Sequence, residues 1–258
     1  MAYAQFAYRY DRLMSDMPYA SWLSFLRQCW EQHNVTPHTI VDLGCGTGSL
    51  SLPLAQSGFH VTGIDISAHM LAVAHDKAED LRKLAQFAKG GTVQWLEQDM
   101  REWELLEQTD CVISFCDCLN YLTEEEDVLL AMKRTYAGLV PGGLFIFDVH
   151  APQQLVGYAE SQPFVMDEED IAYIWTCDYD EDRMEIEHHL SIFDRQTDKG
   201  SELYRKIEEI HIQRAYPAQW IEEQLKNCGF EVVSVSADFT FQPPVEQSER
   251  LFFVARRP

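Results

Sequence analysis

Apolar positions come in two rhythms along the chain. From Thr39 to His150, short apolar runs (TIVDL, HVTGID, TVQWLE, DCVISFC, GLFIFDV) alternate with stretches of helical spacing. Runs of that length, apolar at consecutive positions, suit strands buried on both faces of a parallel sheet. The pattern predicts strands over 39–43, 60–65, 92–97, 110–116 and 144–149. Helices are expected over 49–57, over 68–85 with Ser67 as N-cap, and over EEEDVLLAMKRTYAGL, which Pro141-Gly142-Gly143 closes. Before this region, residues 1–34 read as aromatic-rich helical material, with Trp22, Phe25, Leu26 and Cys29 or Trp30 at helical spacing, ended by Pro37. After His150 the rhythm changes. Stretches 171–179, 184–194 and 203–214 alternate polar with apolar and are separated by Asp180-Glu181-Asp182 and by Thr197-Asp198-Lys199-Gly200, as antiparallel strands are. A helix over 217–227, Gly229 as its stop, and strands 230–237 and 250–256 then restore the first rhythm. The chain is therefore expected to be α/β: a mostly parallel seven-stranded sheet with helices on both faces, plus an inserted antiparallel β segment. The expected division is an N-terminal helical lid segment (1–38), a core (39–150 and 216–258) and an insertion (151–215) that covers the site.

Composition narrows the partners. The 258 residues carry 20 Lys+Arg against 42 Asp+Glu, a formal charge of −22, which repels phosphate backbones and anionic membranes. Seven cysteines form no CxxC pair, and the histidines offer no zinc-like spacing, so no metal is expected and a reduced, cytoplasmic setting fits. No stretch is long and apolar enough to suggest a membrane span or a signal peptide. Ten of the twenty-one residues from Asp167 to Glu187 are acidic, which reads as a solvated edge protecting exposed strands. The adjacent His188 and His189 point to opposite faces of a strand and read as loose surface histidines.

The informative run is Val41-Asp42-Leu43-Gly44-Cys45-Gly46-Thr47-Gly48. A buried strand ends there in a glycine turn that lets backbone approach a ligand, at the carboxyl edge where open α/β sheets bind cofactors. Asp65 closes the next strand and is placed to accept the two hydroxyls of a ribose. The dinucleotide pattern GxGxxG would need glycine at 49, where the chain has Ser49.

Together with LEQDM at 96–100, CDCLNYL at 116–122 and LVPGGLFIFD at 139–148, this run resembles the class I S-adenosylmethionine-dependent methyltransferases, nearest their small-molecule branch. The resemblance implies a Rossmann-like fold, S-adenosyl-L-methionine as cofactor and S-adenosyl-L-homocysteine as product. It implies that Gly44, Cys45, Gly46 and Gly48 line the methionine and ribose side, with Asp42 behind them near the amino group. Asp65 would hold the ribose, Ile66 and Met70 would face adenine, and Asp99 would accept from the adenine amino group with Met100 beside it. The Cys116 carbonyl would meet the methionine ammonium, and Asp117 would add negative charge near the sulfonium. Acceptor-side candidates are Tyr8, Tyr10, Tyr19, Trp22, Tyr121 and His150, His150 being the one candidate for catalysis. The expected reaction is methyl transfer to nitrogen or oxygen of a small molecule, without stable nucleic-acid binding. The alternatives are an RNA or protein methyltransferase and a cofactor-binding regulatory module without turnover.

Overall fold

The computed structural model describes residues 3–84, 87, 90–196 and 203–258. The expected turn at 197–200 lies outside them. The main sheet has seven strands in the order β10-β11-β5-β4-β1-β2-β3: β1 (Thr39–Leu43), β2 (His60–Asp65), β3 (Thr92–Glu97), β4 (Thr109–Ser114), β5 (Leu139–His150), β10 (Glu231–Ala237) and β11 (Arg250–Arg256). Only β11 runs antiparallel to its neighbours. Consecutive residues fill opposite faces. Val41, Val112, Phe145, Phe147 and Phe253 pack under α5 (Glu125–Gly138) and α7 (Ala218–Asn227). Ile40, Cys111, Ile113, Ile146, Phe252 and Val254 pack under α2 (Tyr19–Gln32), α3 (Ser51–Gln56) and α4 (Ala68–Lys83). Period-two alternation between two apolar layers is why these strands read as continuous apolar runs.

After β1 the chain builds outward through β2 and β3, then crosses back to lay β4 on the other side of β1. The crevice at this reversal of strand order is where such sheets place ligands. Ser67 caps α4 as expected, its hydroxyl accepting from Met70 N–H.

Three elements differ from the sequence reading. The N-terminal stretch is two helices, α1 (Tyr3–Leu13) and α2, broken before Pro18. β5 begins at Leu139 rather than 144. Thr109 pairs with Leu139 and Cys111 with Leu144, so the residues between bulge out and Gly142 N–H donates to Arg257 O; the proline and glycines mark a bulge rather than a loop. The insertion is not wholly antiparallel strand. It opens with α6 (Pro152–Ser161), in which only Leu155 is fully buried, so ten residues carry almost no apolar periodicity. The four-residue β6 (Phe164–Asp167) then joins β7 (Ile171–Asp180), β8 (Glu185–Gln196) and β9 (Leu203–Arg214) in a second sheet, order β6-β7-β8-β9.

One indole sets the spacing beneath the glycine loop. A Cβ on Gly63 would lie 2.5 Å from the Trp95 ring, and one on Gly48 2.6 Å from it. Gly63→Ala is therefore expected to destabilise the fold by about 1–3 kcal/mol through overpacking, seen as a lower urea midpoint. The loss should shrink in a Trp95→Leu background. An undiminished loss there would separate the effect from the indole.

Candidate functional site

The turn after β1 is held on both sides. Gly44 N–H and Cys45 N–H both donate to Ile64 O, at 2.8 and 3.0 Å, and Gly46 N–H donates to Asp65 Oδ2 at 2.8 Å. Asp65 Oδ1 accepts from Ser67 N–H at 2.8 Å. Burial pushes the Asp65 carboxyl up, and these backbone hydrogen bonds oppose the shift. Gly46 has φ +54°, and a Cβ there would meet nothing within 4 Å, so its missing side chain leaves open space over the turn. Asp42 lies below, 2% exposed, accepting from Ser51 Oγ. Burial raises its pKa to about 6, against the Ser51 hydrogen bond and with help from nearby Asp65.

At the carboxyl end of β4, Cys116 and Asp117 are consecutive non-glycine residues with φ +61° and +55°. Two left-handed residues in a row are costly and need support from their surroundings. A buried cluster supplies it. Cys116 N–H donates to Asp148 Oδ1 at 2.8 Å, and Trp22 Nε1–H reaches the same oxygen at 3.2 Å. The Arg250 guanidinium bridges Asp148 Oδ2 and Asp117 Oδ1, the latter at 3.0 Å. Gln213 Nε2 donates to Asp117 Oδ2 at 2.7 Å, and His150 Nε2 lies 3.3 Å from Asp117 Oδ1. Burial alone would raise the Asp117 pKa; His150, Arg250 and the hydrogen bonds from His150 and Gln213 overcome it and hold the carboxyl well below the usual range. Asp148 shifts upward, its burial outweighing Arg250.

These groups share one cavity of about 630 Å³. One end is lined by Asp42, Gly44, Cys45, Gly46, Asp65, Ile66, Met70, Asp99 and Met100. The other is lined by Tyr10, Tyr19, Tyr121, Cys116, Asp117 and His150. Most sequence-derived candidates thus face one space, with three qualifications. Gly48 stands behind the wall against Trp95. Trp22 is a core residue, 1% exposed, that carries Asp148 instead of lining the cavity. Tyr8 belongs to α1, but its side chain lies outside the described residues. Asp99 is gripped by Arg101 through both oxygens and by Arg101 N–H, and its pKa is lowered chiefly by that side-chain contact.

Sequence reasoning missed much of the second end. Tyr158, Tyr173, Trp175, His188, Leu190, His211, Gln213 and Arg250 also line it. His188 is not a surface histidine. It is 5% exposed, Trp175 Nε1–H donates to its Nδ1 at 3.0 Å, and burial lowers its pKa to about 4. His150 ends β5 and is 5% exposed. The signal available was alternation, since register places Cys177, His188 and His211 side by side on one face. The alternation does not say which face turns inward.

Helix α1 bridges the glycine turn and the insertion. Asp11 accepts from Thr47 Oγ1 of the glycine turn and from Lys77 Nζ of α4, at 2.5 and 2.7 Å. Arg9 pairs with Asp194, and Arg12 with Glu168 and Asp170 of the insertion. Part of the acidic stretch therefore anchors this helix, while Asp178 remains solvated. Among the described residues no helix is long and apolar enough to span a membrane, and no group of three or more His, Cys, Asp or Glu is arranged to hold a metal.

Strand order, glycine turn and Asp65 together define a class I S-adenosylmethionine-dependent methyltransferase fold. A methyltransferase-domain family model matches residues 40–143. Over 258 residues, covering the whole of both chains, the protein is 40% identical to a chain from Geobacillus sp. (strain WCH70) that is named as a methyltransferase. It is 38% identical over its whole length to YqeM of Bacillus subtilis (strain 168), covering 98% of that protein. The crystal structure of an S-adenosylmethionine-dependent methyltransferase from Clostridium acetobutylicum matches with TM-score 0.83 at 25% identity, covering 99% of each chain. The chain belongs to this methyltransferase family, and its activity is S-adenosylmethionine-dependent.

Two outcomes are expected from the buried charges. Arg250→Met leaves Asp148 and Asp117 without their cation and should cost about 3–5 kcal/mol, as breaking a buried pair does. Urea melts measure it, and a loss below about 1 kcal/mol would contradict a buried pair of this kind. Asp42 titrates near 6 when folded and near 4 when unfolded. The folded state therefore binds more protons between those values, and stability falls as pH rises from about 4 to 6. Asp42→Asn should remove that decline, read as a flatter stability profile between pH 4.5 and 7.

Proposed function

We propose that the protein methylates a small molecule at nitrogen or oxygen, with the cofactor at the glycine-turn end of the cavity and the acceptor at the end closed by the second sheet. The observation that carries this reading is that shared cavity, walled by the glycine turn on one side and by β7, β8 and β9 on the other. Its volume lies within the range of small-molecule sites.

The residues fit S-adenosylmethionine. Gly46 leaves the room that a side chain would fill, and each Asp65 oxygen, after accepting one backbone N–H, retains a lone pair for a ribose hydroxyl. In this reading Gly44, Cys45 and Gly46 line the methionine and ribose side, and Gly48 shapes the turn from behind. Ile66 and Met70 face adenine, with Asp99 and Met100 at its edge. Asp42 and the Cys116 carbonyl receive the ammonium, and Asp117 contributes negative charge, tempered by Arg250. When bound, the cofactor supplies a methyl group already activated on a sulfonium, and the C–S electron pair stays on sulfur as the methyl leaves.

The chain's task is then to align the acceptor and exclude water. The described parts of 1–38 close the mouth, and those of 151–215 form the cover. Tyr10, Tyr19, Tyr121 and His150 meet the acceptor together with Tyr158 and Trp175. Burial pushes the Tyr19 phenol up to about 12, so it remains a hydrogen-bond donor at neutral pH.

Radiolabelled methyl transfer to fractions of a cell extract tests the reading: label should enter small molecules, and label confined to RNA or protein would overturn it. Asp65→Ala should weaken S-adenosylhomocysteine binding by about 10- to 150-fold, the equivalent of about 1.5–3 kcal/mol of charge-assisted hydrogen bonding. Calorimetry on the folded variant measures this, and unchanged affinity removes Asp65 from the ribose site.

A further inference from the structure

Both guanidinium groups on the cavity wall are already taken. Arg101, at the glycine-turn end, is held by Asp99 and Asp127. Arg250, at the other end, is held by Asp117 and Asp148. With both its carboxylates ionised, the Arg250 cluster carries one negative charge, and a proton on His150 would bring the sum only to zero. His188 and His211, their pKa values lowered by burial, add no positive charge at neutral pH. An acceptor bearing a carboxylate or phosphate would have to be desolvated there without a cation to meet it, which is costly. The same end presents the aromatic rings of Tyr158, Tyr173 and Trp175, whose faces attract cations.

From this geometry we infer that the acceptor is an amine without an anionic group, bound through its ammonium form against the aromatic wall and methylated on nitrogen. The inference deepens the small-molecule reading and rests on it. The ammonium must lose one proton to water before its lone pair can form the new N–C bond. A hydroxyl acceptor would instead need a base at the moment of transfer.

The experiment uses the full chain, methyl-labelled S-adenosylmethionine and the small-molecule fraction of a cell extract, with products resolved from unreacted donor on cation and anion exchangers at pH 7. Labelled product is expected on the cation exchanger. Product that passes both columns, or binds the anion exchanger, overturns the inference and leaves the small-molecule reading standing. Label found only in RNA or protein, or in no fraction while S-adenosylhomocysteine still binds, defeats that reading and the inference together.

A second measurement needs no turnover. In the S-adenosylhomocysteine complex, benzyltrimethylammonium should quench tryptophan fluorescence at concentrations about tenfold lower than benzoate, the scale of one desolvated cation–π contact. Trp175→Phe should abolish the signal. Equal quenching by the two probes, or none by the cation, overturns the inference.

Discussion

A guanidinium buried between two carboxylates can exist only if every partner arrives, because each charge pays a desolvation cost that the others must offset. Arg250 is in that position, and its partners come from across the chain. Asp148 belongs to β5 and also takes the indole N–H of Trp22 from α2. Asp117 follows β4 and also takes the amide of Gln213 from the second sheet. The first residue of β11 thus joins the N-terminal helices, the centre of the main sheet and the insertion at one point. The left-handed pair Cys116-Asp117 is tolerable because this cluster holds it, and its position fixes one side of the cavity.

What could be read from the sequence follows from how locally each feature is determined. Strands β1, β2 and β4 were legible because both of their faces are buried, and the glycine turn was legible because turn geometry restricts residue type. Asp65 was legible because a parallel neighbour strand ends beside the turn. Arg250, Gln213, Trp175 and Tyr158 were not. Arg250 and Gln213 matter because they meet residues about a hundred positions away, whereas Trp175 and Tyr158 meet each other and His188 across strands and a helix whose inward face the alternation does not name. The pair His188-His189 shows the limit well: alternation gives opposite faces, but only the sheet's placement over the cavity makes one a wall residue and leaves the other beside Asp178 and Glu187. α6 escaped notice for a related reason, having a single deeply buried side chain.

The acidic character of the chain is distributed by function of place. On the outer rim, carboxylates find arginines of α1 and β8 in partly exposed pairs, which contribute little each. Inside, Asp65, Asp117 and Asp148 are held by backbone amides, an indole and a guanidinium in fixed directions. The same residue type therefore serves as solvated surface in one layer and as an oriented dipole or charge in the other.

The second sheet leaves the core after β5 and re-enters at α7 in one uninterrupted passage, while the glycine turn, Asp65 and Asp99 all precede it in the chain. The glycine-turn wall and the second-sheet wall of the cavity are thus encoded in separate stretches of the gene. A recombination or a designed graft exchanging 151–215 would deliver a new second-sheet wall as one cassette. Its obligations to the rest of the molecule include a glutamine where Gln213 meets Asp117, acids where Asp194 meets Arg9 and where Glu168 and Asp170 meet Arg12, and an arginine where Arg214 meets Glu125.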